Sequence, residues 1–513
     1  MSVERLRDAL QQSLIRLSNR LGELSAWRDR ETLYFSQGEI RISPNGPWAP
    51  MKVGDFWPAQ TEAMEIRFAA SVPRSWAGLP VHSRFHLGGE ALLFVDDQAV
   101  AGLNSLQDEH RVLAKAQGEE TLHFRAEVVP HGLFGTPTRR PQVELACMLV
   151  PDADLRPLYE DLAAALEAAR YHLSSGRRSI AEHLVGALHR ALTRILLPRD
   201  DTPEYLARIA AVSQGRALEN FYGNQESLAS LWENWEFRSP IGSLASEQRE
   251  RLHEVRGLFG RELETIRGNY PAEGGVWLTG HAHLDLAWLW PLEETRKKAQ
   301  RTFHNVLSLM ARYPELRFNQ SSAQLYAWIE ESDPLLFDKV RARVQDGSWE
   351  IVGGMWVEPD LNMPGGESLV RQILTGKRYF KEKFGVDVKI GWNPDSFGYN
   401  WQLPQIYKKS GMDYFVTQKI YWNDTTKFPY KLFWWESPDG SRLLAYIPHD
   451  YANETDPVRM ATDLSAYAPS MYSSDPAEDR QMMHLYGVGD HGGGPTRTML
   501  DTARRWMSSY AVY

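Results

Sequence analysis

Five leucines at spacings of three and four, Leu6, Leu10, Leu14, Leu17 and Leu21, stand near the start of the chain. They predict an amphipathic helix over residues 3–24 whose one apolar stripe docks on a neighbouring domain. Between Met64 and Pro151 the period changes. Short alternating or apolar runs, Glu65-Ile66-Arg67-Phe68, Leu92-Leu93-Phe94-Val95 and His123-Phe124-Arg125-Ala126-Glu127-Val128, are separated by clusters of Gly, Pro, Asp and Asn, which is the pattern of a β-sandwich. From 155 to 266 helical periodicity returns, with Ile180, Leu184, Leu188, Leu192 and Ile195 on one face. Pro198 closes that segment, because proline cannot continue a helix.

After Asn269-Tyr270-Pro271 strand-like runs alternate with helical stretches: Val276-Trp277-Leu278, Leu316-Arg317-Phe318, Trp349-Glu350-Ile351-Val352, Val386 to Ile390, Tyr414-Phe415-Val416, Leu443 to Tyr446 and His484-Leu485-Tyr486. That alternation implies an α/β domain with a mostly parallel sheet, whose ligands bind beyond the carboxyl ends of its strands. The divisions expected are an N-terminal helix at 1–30, a β-sandwich domain at 31–151, a helical linker region at 152–271 and the α/β domain at 272–513.

Composition narrows the partners. The 513 residues are 43% hydrophobic and 24% charged, ordinary globular usage, and no apolar run approaches the roughly 18 residues of a membrane span. A formal charge of -9 argues against nucleic-acid backbones and acidic membranes, which select basic surfaces, and favours a neutral or small ligand. Cys147 is the sole cysteine, so neither an intrachain disulfide nor a cysteine-rich metal site can form, as suits a reducing compartment. The opening MSVERLRDAL has no apolar signal region, and cytoplasm is the expected location. The 18 Trp, 21 Tyr and 19 Phe fit either large cores or faces that stack on sugar rings.

Three strand ends carry chemistry. Past the first run stands Gly280-His281-Ala282-His283-Leu284-Asp285, with Trp288 and Trp290 behind it. Residues two apart on extended backbone point the same way, so His283 and Asp285 can aim at one ion, as can His281 and His283. Imidazole nitrogen with carboxylate oxygen suits zinc or a similar divalent ion, although the spacing also occurs incidentally. The fourth run leads into Trp392-Asn393-Pro394-Asp395-Ser396-Phe397-Gly398. There a tight, non-ladder segment presents the Asp395 carboxylate to the cleft, or else an Asx turn caps a helix. The last run ends in Gly487-Val488-Gly489-Asp490-His491-Gly492-Gly493-Gly494. No Gly-Lys-Ser/Thr follows and the spacing fits neither nucleotide fingerprint, which argues against a nucleotide cradle; the glycines let backbone approach a ligand while Asp490 projects, or form only a flexible loop. Two carboxylates on separate strand ends suit glycoside hydrolysis, which needs a nucleophile or base and a general acid flanking the scissile bond. Asp395 and Asp490 are the candidates.

These motifs, together with Asn319-Gln320-Ser321-Ser322, Gly353 to Asp360 and Gly365 to Gln372, resemble a glycoside hydrolase family 38 α-mannosidase of the cytosolic and bacterial type over most of 274–500. The resemblance implies retaining hydrolysis of terminal α-linked mannose on mannose-containing oligosaccharides by a seven-stranded α/β catalytic domain, with zinc on the sugar O2 and O3 hydroxyls. It implies His283 and Asp285 as metal ligands, Asp395 as ligand and nucleophile, Asp490 as general acid, and Trp288 and Phe397 as pocket walls. His491 departs from the family's unbroken glycine run. The family's fourth zinc ligand is a histidine in a later segment, so a natural protein continuing beyond Tyr513 is expected, with His491 as the local substitute. A homo-oligomer is expected as well.

Glu358 and Asp360 follow a strand in a proline-bounded turn and suit either substrate hydroxyls or a helix cap before Leu369. His449, Lys419 and Trp422 also follow strands, where sugar contact and a structural role compete. Glu293, Glu294, Arg296, Lys297 and Lys298 read as a solvated helix face. Two other functions fit parts of the pattern: an amidohydrolase-type metal hydrolase, which wants further metal histidines and usually a lysine on later strand ends, and a non-catalytic glycan-binding protein.

Overall fold

Along the strand Met64–Ser71 alternate residues turn inward, so that Met64, Ile66 and Phe68 are buried while Arg67 and Ala69 are exposed. Such period-two burial is what two sheets packed face to face require. The computed structural model describes residues 3–25, 27–60, 62–132, 135, 137–197, 244–270, 274–471, 481–489 and 493–509. Within them, a four-stranded antiparallel sheet (Asp29–Tyr34, Leu145–Pro151, Val81–His86, Glu109–Leu113) faces a six-stranded one (Ala49–Lys52, Gln37–Arg41, Met64–Ser71, Thr121–Val129, Glu90–Val95, Gln98–Leu103). Phe35, Phe68, Phe85 and Phe124 interleave between the sheets, with the Phe85 and Phe124 ring centroids 5.4 Å apart.

The helical residues form one core. Leu14, Leu17 and Leu21 of the expected stripe on the helix Val3–Ser25, and Leu24 beside them, are buried with residues of Leu155–Ser174, Arg178–Leu192 and Ser246–Asn269; Leu10 is half-buried, and the Leu6 side chain lies outside the described residues. Ile180, Leu184, Leu188, Leu192 and Ile195 are buried there too, while Pro198 lies outside the described residues. Trp506, from the helix Arg497–Ser509 at the end of the α/β region, joins the same core.

In the α/β region the hydrogen bonding divides the strands into two four-stranded ladders rather than one seven-stranded sheet. Trp349–Ile351, Phe318–Gln320, Gly275–His281 and Gln481–Tyr486 are all parallel. Ile390–Trp392, Tyr414–Val416 and Arg442–Tyr446 are parallel, with Leu432–Glu436 antiparallel at the edge. The ladders meet where the Gly353 N–H donates to the Ile390 carbonyl at 2.8 Å. The edge strand is absent from the sequence reading, because Leu-Phe-Trp-Trp is a short apolar run with no crossover helix before it. Two of the expected strands also begin later than their apolar runs, at Phe318 and Ile390.

The solvated face expected on the helix Leu292–Arg312 is only half correct. Glu293 is exposed, but Glu294 and Lys298 are buried against the sandwich. Charges elsewhere at the domain junction are buried in the same way. Asp29 pairs with Arg84 at 2.9 Å and with Arg156 of the helical unit, and Glu109 pairs with Arg84 at 2.5 Å, Arg156 at 2.7 Å and His82 at 2.7 Å. The Arg497 N–H of the α/β region donates to Gln107 Oε1 at 2.8 Å beside them.

Removing one member of this junction strands the others. Glu109→Ala leaves Arg84 and Arg156 short of a counter-charge and is expected to destabilise the chain by about 3–5 kcal/mol, whereas Glu119→Ala, which removes an exposed pair with Arg74, should hardly change it. Urea unfolding followed by tryptophan fluorescence measures both.

Candidate functional site

Beyond the strand Gly275–His281 the chain enters a loop in which Ala282, His283 and Leu284 are all buried. His283 is 4% exposed. Its Nε2 lies 3.4 Å from Asp285 Oδ1 and 3.5 Å from Asp395 Oδ2, and its Nδ1 lies 3.3 Å from Glu358 Oε2. None of these approaches has hydrogen-bond geometry, so both buried ring nitrogens remain without a hydrogen-bond partner. Burial alone would push the imidazole down, but the charge of Glu358 and the neighbouring Asp285 and Asp395 hold it well above its usual value.

His281 plays a different part from the one its spacing allowed. It is fully buried, and its Nδ1 donates to the Asn319 carbonyl at 3.1 Å while its Nε2 accepts from Trp392 Nε1 at 3.4 Å. Burial lowers it to about 4, so it is a neutral floor residue.

Asp395 stands on a turn closed from below, where the Pro394 carbonyl accepts from the N–H of Lys419 at 2.9 Å. The Asx turn weighed for this segment does not form: Asn393 Oδ1 accepts from Tyr407 at 2.8 Å. Tyr451 donates to Asp395 Oδ1 at 2.7 Å, and Lys419 forms an ion pair with the same oxygen. Against the cost of burial, His283, Lys419 and Tyr451 bring the carboxyl down to about 2. The Lys419 ammonium lies 4.4 Å from the Phe397 ring centroid and 3.7 Å from that of Trp422, and both rings are largely exposed. A cation between two open aromatic faces beside a carboxylate makes a wall suited to a polyhydroxylated ring.

Glu358 reaches the cluster because the backbone bends sharply after Trp349–Ile351. Gly353 and Gly354 have φ of +84° and +68°, values that favour glycine. Ser321, from the neighbouring strand end, donates to Glu358 Oε1.

The other expected residues fall as follows. Trp288 is exposed on the loop after Asp285. Asp360 Oδ1 accepts from the N–H groups of Asn362 and Met363, both at 2.7 Å, so it closes an Asx turn and caps no helix. His449 is turned to Asp463 at 3.2 Å on the helix Pro457–Met471. Asp490 and His491 lie outside the described residues. Tyr451 is absent from the sequence reading, and its signal would have been its place just past a strand end, two residues after His449.

His283, Asp285 and Asp395 offer one nitrogen and two oxygens within 4.8 Å of one another, a donor set that fits a divalent ion. The two unpartnered ring nitrogens of His283 support the fit.

A two-sheet sandwich thus stands ahead of a mostly parallel α/β domain with carboxylates at its strand ends. Residues 273–513 match the Glycosyl hydrolases family 38 N-terminal domain and residues 29–161 the Alpha-mannosidase, jelly roll domain, so the chain carries both of these domains. Alpha-mannosidase G of Dictyostelium discoideum is 27% identical over 98% of this chain and 43% of its own length. Alpha-mannosidase 2C1 of Homo sapiens is 30% identical over 89% of this chain and 40% of its own. The Alpha-mannosidase of Saccharomyces cerevisiae is 43% identical over 45% of this chain and 21% of its own. The chain therefore spans well under half the length of these curated relatives.

The geometry separates ligands from scaffold. Asp285→Ala and His283→Ala are each expected to weaken binding of a divalent ion by more than about 100-fold, while Asp360→Asn leaves it unchanged. Competition with a chromophoric chelator measures all three.

Proposed function

We propose that this chain acts in the cytoplasm as a retaining exo-α-mannosidase, releasing terminal α-linked mannose from oligosaccharides. The observation that supports this most is Asp395, one carboxylate shared between the His283–Asp285 group and the Lys419–Tyr451 pair on a family 38 domain. An ionised carboxylate is the nucleophile a retaining mechanism requires. In the first step a bond forms from an Asp395 oxygen to the anomeric carbon as the glycosidic bond breaks, and the general acid gives its proton to the departing oxygen. Asp490 takes that role. In the second step water, deprotonated by the same group, attacks the anomeric carbon and the Asp395 carboxylate leaves. A carboxylate held low in this way is a weak base and a good leaving group, so His283, Lys419 and Tyr451, which hold it there, favour the second step.

His283, Asp285 and Asp395 would hold zinc, with cobalt as a substitute, and the ion would supply Lewis-acid polarisation and orientation of vicinal sugar hydroxyls. Phe397, Trp422 and Trp288 are the open aromatic surfaces available to stack on the ring. The amidohydrolase alternative needs several metal histidines, whereas the group contains one and both nitrogens of His281 are engaged elsewhere.

An aryl α-mannoside assay tests the reading, with NMR of the first-formed anomer. Retention is expected, and Asp395→Ala should lower kcat by on the order of 10⁴-fold. Inversion, or substantial turnover by that variant, removes Asp395 from the role; glycan binding without turnover favours the non-catalytic alternative. Tyr451→Phe should slow release of the sugar more than release of the aryl group, giving a pre-steady-state burst of phenol.

A further inference from the structure

The loop carrying His283 and Asp285 runs from the end of the strand at His281 to the start of the helix at Leu292, with one bridge, at Leu284, on the way. Ala287, Trp288 and Leu289 are exposed on it, yet Trp290 is only 6% exposed. Trp290 Nε1 donates to Thr295 Oγ1 at 3.0 Å, and Thr295 Oγ1 donates to the Leu286 carbonyl at 2.8 Å, the residue after Asp285. One hydroxyl on the helix thus ties both ends of the exposed stretch.

The sandwich closes over this tie. Lys298 Nζ, one turn along the helix, lies 5.0 Å from the Trp290 ring centroid and 2.7 Å from Oε2 of Glu90, which opens a strand of the six-stranded sheet. Arg301 Nη2 reaches the same oxygen at 3.3 Å and pairs also with Glu294. All four charged residues are less than 10% exposed. Backbone packing is equally close: a Cβ at Gly135 would stand 2.8 Å from Trp290 Cε3, and one at Gly102 would stand 2.8 Å from the Arg301 carbonyl.

We propose that Glu90 is a positioning residue for the candidate site. It fixes Lys298 and Arg301 so that the helix and the sandwich together clamp Trp290, and through Thr295 the Leu286 backbone, holding the loop that presents His283 and Asp285. On this proposal the jelly-roll domain preorganises the α/β site. The functional consequence rests on the reading given above; the clamp itself rests on the contacts alone. A loop of exposed residues tied down at a few points is a low-stability unit, whose opening is set by those ties. A site held loosely by its supporting residues loses affinity and rate without losing its ligands.

The test uses the full chain with Glu90→Gln, which removes the charge at constant volume, and Thr295→Val, which removes the hydroxyl relay and leaves the interface charges in place. Hydrogen–deuterium exchange across 282–291 is expected to speed up about tenfold in both, with peptides of the strand Thr121–Val129 unchanged. Zinc affinity, by competition with a chromophoric chelator, should fall by about tenfold in both, with a lower melting temperature in Glu90→Gln, which leaves Lys298 and Arg301 short of a counter-charge. Unchanged exchange of 282–291 in both variants overturns the proposal, as does faster exchange spread evenly through the sandwich in Glu90→Gln with no effect of Thr295→Val. If the parent chain neither binds zinc nor hydrolyses an aryl α-mannoside, the functional reading fails, and the exchange comparison still decides the clamp.

Discussion

Three carboxylates face one buried imidazole. Asp285 and Asp395 approach His283 Nε2, and Glu358 its Nδ1, all within 3.5 Å, so the imidazole stands between like charges. The α/β fold makes the crowding affordable by delivering each carboxylate from a different strand end, so no local segment bears the repulsion alone. The tight turn at Pro394 aims Asp395, and the positive-φ glycines after Trp349–Ile351 turn the chain that brings Glu358 to His283 Nδ1. Neutral residues line the floor. His281 has both nitrogens engaged and is uncharged there, so it adds no repulsion to His283 above it.

Buried ion networks also join the sandwich to its neighbours. Asp29 and Glu109 meet Arg84 and Arg156 toward the helical unit, while Glu90 and Glu294 meet Lys298 and Arg301 toward the α/β domain. Such networks contribute little net stability over apolar packing of the same shape, but they tolerate few alternative arrangements, since any misfit strands a charge. That is a means of fixing orientation between domains rather than of strengthening their cohesion.

The local part of this architecture was legible in the sequence, and the long-range part was not. Period-two alternation around Ile66 and Phe68 and the leucine stripe before Ser25 are rules of one element, and both sets of side chains are buried as those rules require. The juxtaposition of His283 with Asp285 could be read from their two-residue spacing, and Asp395 could be placed near them because parallel strands bring their carboxyl ends together. Glu358, Lys419 and Tyr451 join through tertiary contacts 75 to 168 residues from His283 in the chain, which no spacing encodes. Asp360 and His449 had the same strand-end signal and turned elsewhere, one to its own backbone and one to Asp463. The charges of Glu294 and Lys298 misled for the complementary reason: a charged helix face reads as solvated until a partner domain buries it.

Charge balance ties the site to its proposed substrate. Lys419 offsets one of the three carboxylates directly, through Asp395, and leaves His283 between the remaining two. A proton on His283 compensates only one of those. A divalent ion in place of that proton would make the whole cluster electrically neutral, with the imidazole free to act as a nitrogen ligand. A neutral sugar then meets a neutral but strongly polarised pocket, in which hydroxyl groups gain from local fields and no net charge has to be desolvated. On the proposed reaction, transient positive charge at the anomeric carbon would arise next to Asp395, the one carboxylate that contacts Lys419, Tyr451 and His283 together. These contacts suit Asp395 to leaving the sugar as well as to attacking it.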